Sequence, residues 1–191
     1  MPLQHVGRNQ KGNRMMNLKA IVCILLLCFI TAVSTTQDNE FERIEFVLGQ
    51  WAGTGTGFGN STSVIESHFI SIMDGRYIEV KNDSKFEPTE NNPEGENHVD
   101  WGIISYDKSR KKIVYRQFNN EGYVNQYVLN DSLSDDSTAV FETEKIENFV
   151  DGGKARLTIK KKSQNEIETI FDVSFPGREF ACFGTNKLKR K

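Results

Sequence analysis

The sequence predicts an all-β protein: a single antiparallel up-and-down β-barrel of about ten strands, with a short helical turn before the first strand. Three observations support this prediction. Short segments with strand composition follow one another along the chain, tight turns connect them, and no helical segment is long enough for a parallel crossover. Closing such a meander into a barrel pairs the two edges that an open sheet would leave exposed. A β-sandwich is the alternative architecture.

The predicted elements begin with the helical turn. Phe41, Ile44 and Val47 recur at helical spacing, and the pattern stops at Gly49. The strands are predicted at residues 51–57, 63–72, 76–81, 101–106, 112–118, 123–129, 138–146, 155–161, 166–175 and 179–188. Asp74-Gly75 is a strong hairpin signal, and the stretch 87–97, rich in Pro, Gly, Asn and Glu, predicts the longest loop.

The first residues have the organisation of a secretion signal. Lys11, Arg14 and Lys19 precede an apolar run, residues 20–33, that is charge-free and too short for the ~20 residues of a bilayer-spanning helix. Ala32 and Ser34 then occupy the two small-residue positions of a signal peptidase site. We therefore expect cleavage after residue 34 and a secreted or periplasmic location.

The predicted domain organisation is a signal peptide over residues 1–34, with Met15 or Met16 as alternative starts, followed by one barrel domain over residues 35–191. An uncleaved membrane anchor is the alternative, although polar residues begin directly at Thr35. After cleavage no membrane span is expected. Cys182 is then the one remaining cysteine, so no internal disulfide is expected, and its aromatic neighbours Phe180 and Phe183 predict a small buried residue.

Charge argues against nucleic acid as a partner. The chain has 24 basic and 26 acidic residues, giving a formal net charge of -2. No excess of positive charge is present to hold a phosphate backbone.

The most specific motif is the stretch 49–57, GQWAGTGTG, which directly follows the helical turn. A Trp at the closed end of a barrel fills its floor, and a basic residue of the last strand, Arg190, Lys189 or Lys187, is expected to lie across the ring of Trp51. The alternate glycines favour strong coiling of the strand, the other interpretation being close approach of a group to the backbone. Gly49, Trp51, Gly53 and Arg190 are thus the predicted structural motif.

This motif resembles the start of the calycin barrels, which include lipocalins, fatty-acid-binding proteins and nitrobindin-like proteins. Gly75-Arg76-Tyr77, Trp101-Gly102 and Tyr106-Asp107 are similar to later features of nitrobindin-like proteins and of related secreted bacterial proteins of unknown function. For nitrobindin-like proteins the resemblance implies haem bound by a histidine near the C-terminus. Residues 180–188 contain no histidine, so haem of this kind, or any other cofactor, is not expected.

Polar side chains in the middle of predicted strands define a candidate ligand site. Glu66, His68, Arg116 and Tyr127 share strand faces with apolar residues, as expected for a partly polar barrel lumen that holds a ligand. A strand with one solvated face explains Glu66 and His68 equally well. His98, at the end of the predicted loop, is expected in solvent, and no metal site or catalytic group is predicted.

The expected function is binding of a small, partly apolar molecule in the lumen of an exported barrel. One alternative is a barrel enzyme that uses His68 with Glu66 or Glu79 as an acid–base pair. Another is an interaction module without a ligand, whose lumen is filled by some of the 13 Phe residues. Binding is favoured over catalysis, and the identity of the ligand is left open.

Overall fold

A computed structural model describes residues 39–57, 61–90 and 92–191. The signal peptide predicted over residues 1–34 lies outside this part of the chain. Ten antiparallel strands form a closed barrel in which neighbours in sequence are paired and β1 also pairs with β10. The strands are β1 Gly49–Thr56, β2 Thr62–Ile72, β3 Tyr77–Phe86, β4 Glu96–Asp107, β5 Lys112–Asn119, β6 Val124–Leu129, β7 Thr138–Glu147, β8 Lys154–Ser163, β9 Glu166–Ser174 and β10 Ala181–Arg190. The predicted up-and-down barrel is confirmed, and the sandwich alternative is wrong.

The predicted helical turn is a 3-10 helix, Glu42–Val47, that closes one end of the barrel. Its apolar spacing turns Ile44 and Val47 into the core, where both are fully buried. The buried Trp51 ring packs in the same cluster, and its Nε1 donates a hydrogen bond to the carbonyl oxygen of Val47 at 2.8 Å. The helix and the tryptophan together form the floor of the barrel.

The last strand meets the first at this floor. Trp51 and Arg190 are register partners across the β1–β10 seam, and Arg190 Cζ lies 4.2 Å from the centroid of the Trp51 ring. Arg190 Nη1 also donates to the carbonyl oxygen of Leu48 at 2.7 Å. Gly49 makes room for this arginine, because a Cβ at Gly49, whose φ is +132°, would lie 2.2 Å from Arg190 Nη1.

Gly53 shows why the motif alternates glycine. A Cβ at this position would lie 2.0 Å from the carbonyl oxygen of Lys187 and 3.0 Å from Cα of Leu188, both backbone atoms of β10. A group therefore does approach the backbone closely at Gly53, and that group is the neighbouring strand β10. The motif lets the seam of the barrel close tightly.

Side-chain alternation divides the inner face into two zones. Near the floor, large apolar residues fill the barrel, including Ile78, Ile104, Phe141, Ile159 and Leu188, all at most 2% exposed. Towards the other end, small and polar side chains replace them on the same inner face, for example Asn82 and Ser84 on β3, which follow Ile78 and Val80. The barrel is therefore packed at one end and open at the other.

Two boundaries differ from the sequence prediction. β3 extends past the predicted strand 76–81 and β4 begins before the predicted strand 101–106, inside the predicted loop 87–97, and their pairing runs on from Asn82 opposite Asp100 to Phe86 opposite Glu96. These segments carry polar residues on both faces, because one face meets solvent and the other meets a polar lumen. Alternation of apolar and polar residues is therefore missing there, although it is the usual strand signal.

Cys182 is exposed, so its predicted burial is wrong. A β-bulge shifts the β9–β10 register between Cys182 and Gly184. The extra residue reverses the alternation, so that Phe183 lines the lumen and Cys182 does not. Within the described residues, no helix has the length and apolarity required to cross a membrane.

Candidate functional site

A cavity of about 540 Å³ occupies the open half of the barrel. It lies opposite the helix-plugged floor, at the end where β1–β2, β3–β4, β5–β6, β7–β8 and β9–β10 are connected. Residues from all ten strands or their connections line it. The described Phe residues therefore leave this space open, whereas the ligand-free alternative expects Phe side chains to fill the lumen.

Apolar side chains form the deep wall of the cavity. They are contributed mainly by β5, β6, β8 and β9 and include Phe69, Val80, Tyr115, Tyr127, Leu157, Ile159 and Phe171. Tyr115 and Tyr127 are stacked, with ring centroids 5.6 Å apart. This wall suits the apolar part of a ligand.

A hydrogen-bonded polar strip crosses β2, β3 and β4. Ser67 Oγ donates to Asn82 Oδ1 at 2.5 Å, and Asn82 Nδ2 donates to Ser84 Oγ at 3.1 Å and to Asp100 Oδ2 at 3.3 Å. Ser67, Ser84 and Asp100 are buried. The strip satisfies these polar groups in the wall of the cavity, as buried polar atoms require.

A second polar group lies on β5 and β6. Gln117 Oε1 accepts hydrogen bonds from Asn125 Nδ2 at 2.9 Å and from the Tyr127 hydroxyl at 3.2 Å. Burial raises the pKa of the Tyr127 hydroxyl, and the nearby Asp100 carboxylate raises it further. Tyr127 therefore stays a neutral phenol that anchors Gln117 in the lumen.

His98 connects the polar strip to the mouth of the cavity. Its Nε2 lies 3.1 Å from Asp100 Oδ1, and its Nδ1 lies 2.5 Å from Glu121 Oε1. The hydrogen bond to Asp100 is the main reason that the pKa of His98 rises to about 9, with Glu121 adding to it against the effect of burial. At neutral pH the ring is an imidazolium that donates one hydrogen bond to each carboxylate.

Glu96 joins this group. One potential ligand atom from each of Glu96, His98 and Glu121 lies within 4.8 Å of the others. Two carboxylates and an imidazole are a common ligand set for divalent cations, but His98 would have to give up a proton that two carboxylates stabilise. As it stands, the group is an acidic site around one protonated ring.

Aromatic rings line the rest of the mouth. Tyr123 contacts Phe149 with centroids 5.8 Å apart, Phe149 contacts Phe175 at 5.6 Å, and Phe175 contacts Phe183 at 6.2 Å. All four rings line the cavity, and Tyr123 lies two residues after Glu121 in the β5–β6 connection. One mouth therefore combines an aromatic wall with a group of carboxylates.

Three of the four predicted ligand groups lie outside the lumen. Glu66 is exposed, and its carboxylate accepts a hydrogen bond from Lys191 Nζ at 2.6 Å, which lowers its pKa. His68 shares its outer strand face, and Arg116 is exposed with Nη1 donating to Ser105 Oγ at 3.1 Å. Their expected placement in the lumen is corrected, because the inner face of β2 is the one that carries Ser63, Ile65, Ser67 and Phe69.

Tyr127 is the one predicted ligand group that lines the cavity. Sequence reasoning missed Glu96, Asp100 and Glu121 and expected His98 in solvent. Glu96 was assigned to the loop 87–97, which His98 follows directly, and Glu121 lies in the connection after the predicted strand 112–118. The available signal was the alternation of charged or polar residues at 96, 98 and 100, which places them on one strand face. Serine at alternate positions of β2 was a second signal, since small inner residues leave space in a barrel.

The positions of His68 and His98 bear on the acid–base enzyme alternative and on haem bound by a histidine. His68, Glu66 and Glu79 do not line the cavity, and Glu79 accepts a hydrogen bond from Trp101 Nε1 at 3.0 Å. These groups therefore share no substrate cavity among the described residues. Of the described histidines, only His98 lines the lumen, and carboxylates engage both of its ring nitrogens, so the donors do not fit a haem held by histidine.

Comparison with known proteins extends the fold assignment. No protein-family model matches the sequence, and no curated protein matches it. In structure the chain is similar to Rv2717c from M. tuberculosis, with 14% sequence identity and a TM-score of 0.59 over 80% of this chain and 97% of that chain. This likeness shows the fold alone.

Designed barrels match with lower TM-scores. A de novo designed fluorescence-activating β-barrel has 10% identity and a TM-score of 0.41, over 78% of this chain and 98% of that chain. The protein EF1p2_mFAP2b, in a structure bound to DFHBI, has 13% identity and a TM-score of 0.39 over 78% of this chain and 98% of that chain.

Proposed function

We propose that this chain is an exported binding protein that holds a small, partly apolar molecule in the lumen of its barrel. The observation that carries the proposal is the cavity of about 540 Å³, which joins an apolar floor to a polar and charged mouth. Small-molecule sites in proteins are commonly concave spaces of about 300–1,000 Å³ with a few convergent polar groups. Export is supported by the sequence pattern of residues 1–34.

The lining argues for a ligand with two different parts. The stacked Tyr115 and Tyr127 and their apolar neighbours offer a dry surface for a ring or chain. Gln117, Asn125 and the polar strip on β2–β4 are held by bonds to one another, so they present fixed donors and acceptors. Such preorganised groups orient a ligand without loss of side-chain entropy on binding.

Binding of a neutral apolar fluorophore, N-phenyl-1-naphthylamine, to the purified protein tests the proposal. Its fluorescence rises in apolar surroundings, and we expect saturable binding with one site per chain. Thr169 lines the cavity, and Thr169→Phe is expected to weaken binding at least about tenfold by filling the space. Thr54→Phe is the matched control, because Thr54 is exposed on β1.

The outcomes separate the cavity from the surface. Circular dichroism establishes that both variants are folded. Equal binding by the wild type, Thr54→Phe and Thr169→Phe would place the fluorophore on the outer surface and contradict the proposal. Absence of binding to the wild-type protein contradicts it as well.

A further inference from the structure

The charged side chains that line the cavity are mainly acidic. Glu96, His98, Asp100 and Glu121 are the charged residues among those that line the cavity in the described part of the chain. No Lys or Arg of the described residues lines it, although the whole chain contains 24 such residues. With His98 protonated, three carboxylates and one imidazolium leave the lumen with two net negative charges.

The three carboxylates of the lumen, Glu96, Asp100 and Glu121, differ in whether a positively charged side chain pairs with them. Asp100 and Glu121 each contact one nitrogen of His98. Glu96 is exposed at the mouth, and one of its carboxylate oxygens lies within 4.8 Å of a ring nitrogen of His98 and of a carboxylate oxygen of Glu121. Among the described residues, no Lys, Arg or His nitrogen forms an ion pair with Glu96. The negative charge that His98 leaves uncompensated is therefore concentrated at the mouth, around Glu96 and Glu121.

The aromatic wall lies beside this charge. Tyr123, Phe149, Phe175 and Phe183 form a continuous series of ring contacts along the mouth. Faces of aromatic rings attract cations, and their edges and faces also pack against apolar groups. A ligand that carries a positive charge next to an apolar body meets a favourable partner for each of its parts.

From this arrangement we infer that the ligand is a small organic amine, bound with its ammonium group at Glu96 and Glu121 and its apolar body against the aromatic wall and the deeper lumen. The inference rests on the proposed binding function and names the class of ligand. An ammonium donates hydrogen bonds to carboxylates, whereas a carboxylate ligand would meet three like charges. Anionic lipids and fatty acids are therefore excluded in favour of amines.

Three indoles that differ in charge test the inference. Tryptamine carries an ammonium, tryptophol is its neutral analogue with a hydroxyl group, and indole-3-acetate is anionic. Each is titrated against protein loaded with N-phenyl-1-naphthylamine, in the presence of EDTA, at pH 7 and low salt. We expect tryptamine to displace the fluorophore at a concentration at least about tenfold lower than tryptophol, and indole-3-acetate to be the weakest.

Variants assign the preference to the mouth. The double variant Glu96→Gln/Glu121→Gln removes both carboxylates isosterically at exposed positions, and we expect it to bind tryptamine and tryptophol about equally. Glu66→Gln makes the same change on the outer face and is expected to keep the wild-type preference. A preference that survives in the double variant, or wild-type protein that favours indole-3-acetate, would overturn the inference.

A metal site is the competing outcome, and the design separates it. A parallel titration with Zn²⁺ in place of the indoles measures metal binding by calorimetry. Zn²⁺ binding that is lost in the double variant, without any preference for tryptamine, would overturn the amine inference. If N-phenyl-1-naphthylamine binds but the charge preference is missing, only this inference fails; if the fluorophore itself does not bind, the proposed function fails with it.

Discussion

Asp100 Oδ1 lies 3.1 Å from Nε2 of His98, and Asp100 itself is only 8% exposed. Glu121 is nearer to the ring, with Oε1 2.5 Å from Nδ1, but its side chain is 41% exposed. Water and salt screen the outer pair more than the inner pair. The more distant carboxylate therefore has the larger effect on the proton affinity of His98.

This relationship predicts unequal effects of two isosteric substitutions. Asp100→Asn is expected to lower the pKa of His98 from about 9 by more than Glu121→Gln does, because the hydrogen bond to Asp100 is the largest cause of the shift. Titration of the His98 ring protons by NMR measures both values. A larger drop in Glu121→Gln would show that proximity outweighs burial at this site.

Stability is expected to depend on pH through the same ring. The pKa of His98 is raised from 6.5 to about 9, so its stabilising effect is fully present below pH 6.5 and is lost as the pH rises through about 9. The ring is 26% exposed, and we expect His98→Gln to lower the free energy of unfolding at pH 6 by about 2 kcal/mol more than at pH 10. Urea denaturation of both proteins at the two pH values measures this difference. If the wild type and His98→Gln differ by the same free energy of unfolding at pH 6 and pH 10, the prediction is contradicted.

Arg190 is expected to stabilise the floor of the barrel. Arg190→Ala removes the contact with the Trp51 ring and the hydrogen bond to Leu48, and we expect a loss of about 1–3 kcal/mol in the free energy of unfolding. Lys189→Ala is the matched control, since Lys189 forms a solvent-exposed ion pair with Glu166 worth at most about 1 kcal/mol. Urea denaturation compares the variants, and equal effects of the two would argue against a special role for Arg190.

Gly53 is expected to tolerate alanine less well than Gly55. A Cβ at Gly53 meets the backbone of Lys187, whereas one at Gly55 meets the end of the Asn186 side chain at 2.2 Å, which is able to rotate away. We expect Gly53→Ala to destabilise the protein by roughly 2–4 kcal/mol and Gly55→Ala by less. Thermal unfolding followed by circular dichroism ranks the two, and the reverse order would show that the β1–β10 seam is flexible at Gly53.

The fold was accessible from the sequence because its main signals are local. Hairpin residues such as Asp74-Gly75 and short apolar runs mark strands without knowledge of their partners. The contact of Trp51 with a basic residue of the last strand also followed from one motif. Each of these features is marked by residue types at neighbouring positions in the sequence, so it is recognisable without knowing the rest of the structure.

The site was harder to predict because orientation depends on the whole barrel. On β2 both faces carry apolar and polar residues, so local pattern does not decide whether Ser67 or Glu66 faces the lumen. On β4, His98 and Asp100 lie in a segment without apolar alternation, where composition alone indicates a loop. The bulge at Cys182 depends on the fit between β9 and β10, which no local signal records.

The seam between Trp51 and Arg190 joins the first strand of the barrel to the last. Closure therefore has to wait until β10 has left the ribosome, and until then β1 has a free edge. Contacts between such distant parts of a chain also make folding slow. For the exported protein that we propose, which would be threaded through a membrane before it folds, this order of events would keep the chain open during transit and complete the binding chamber only at its destination.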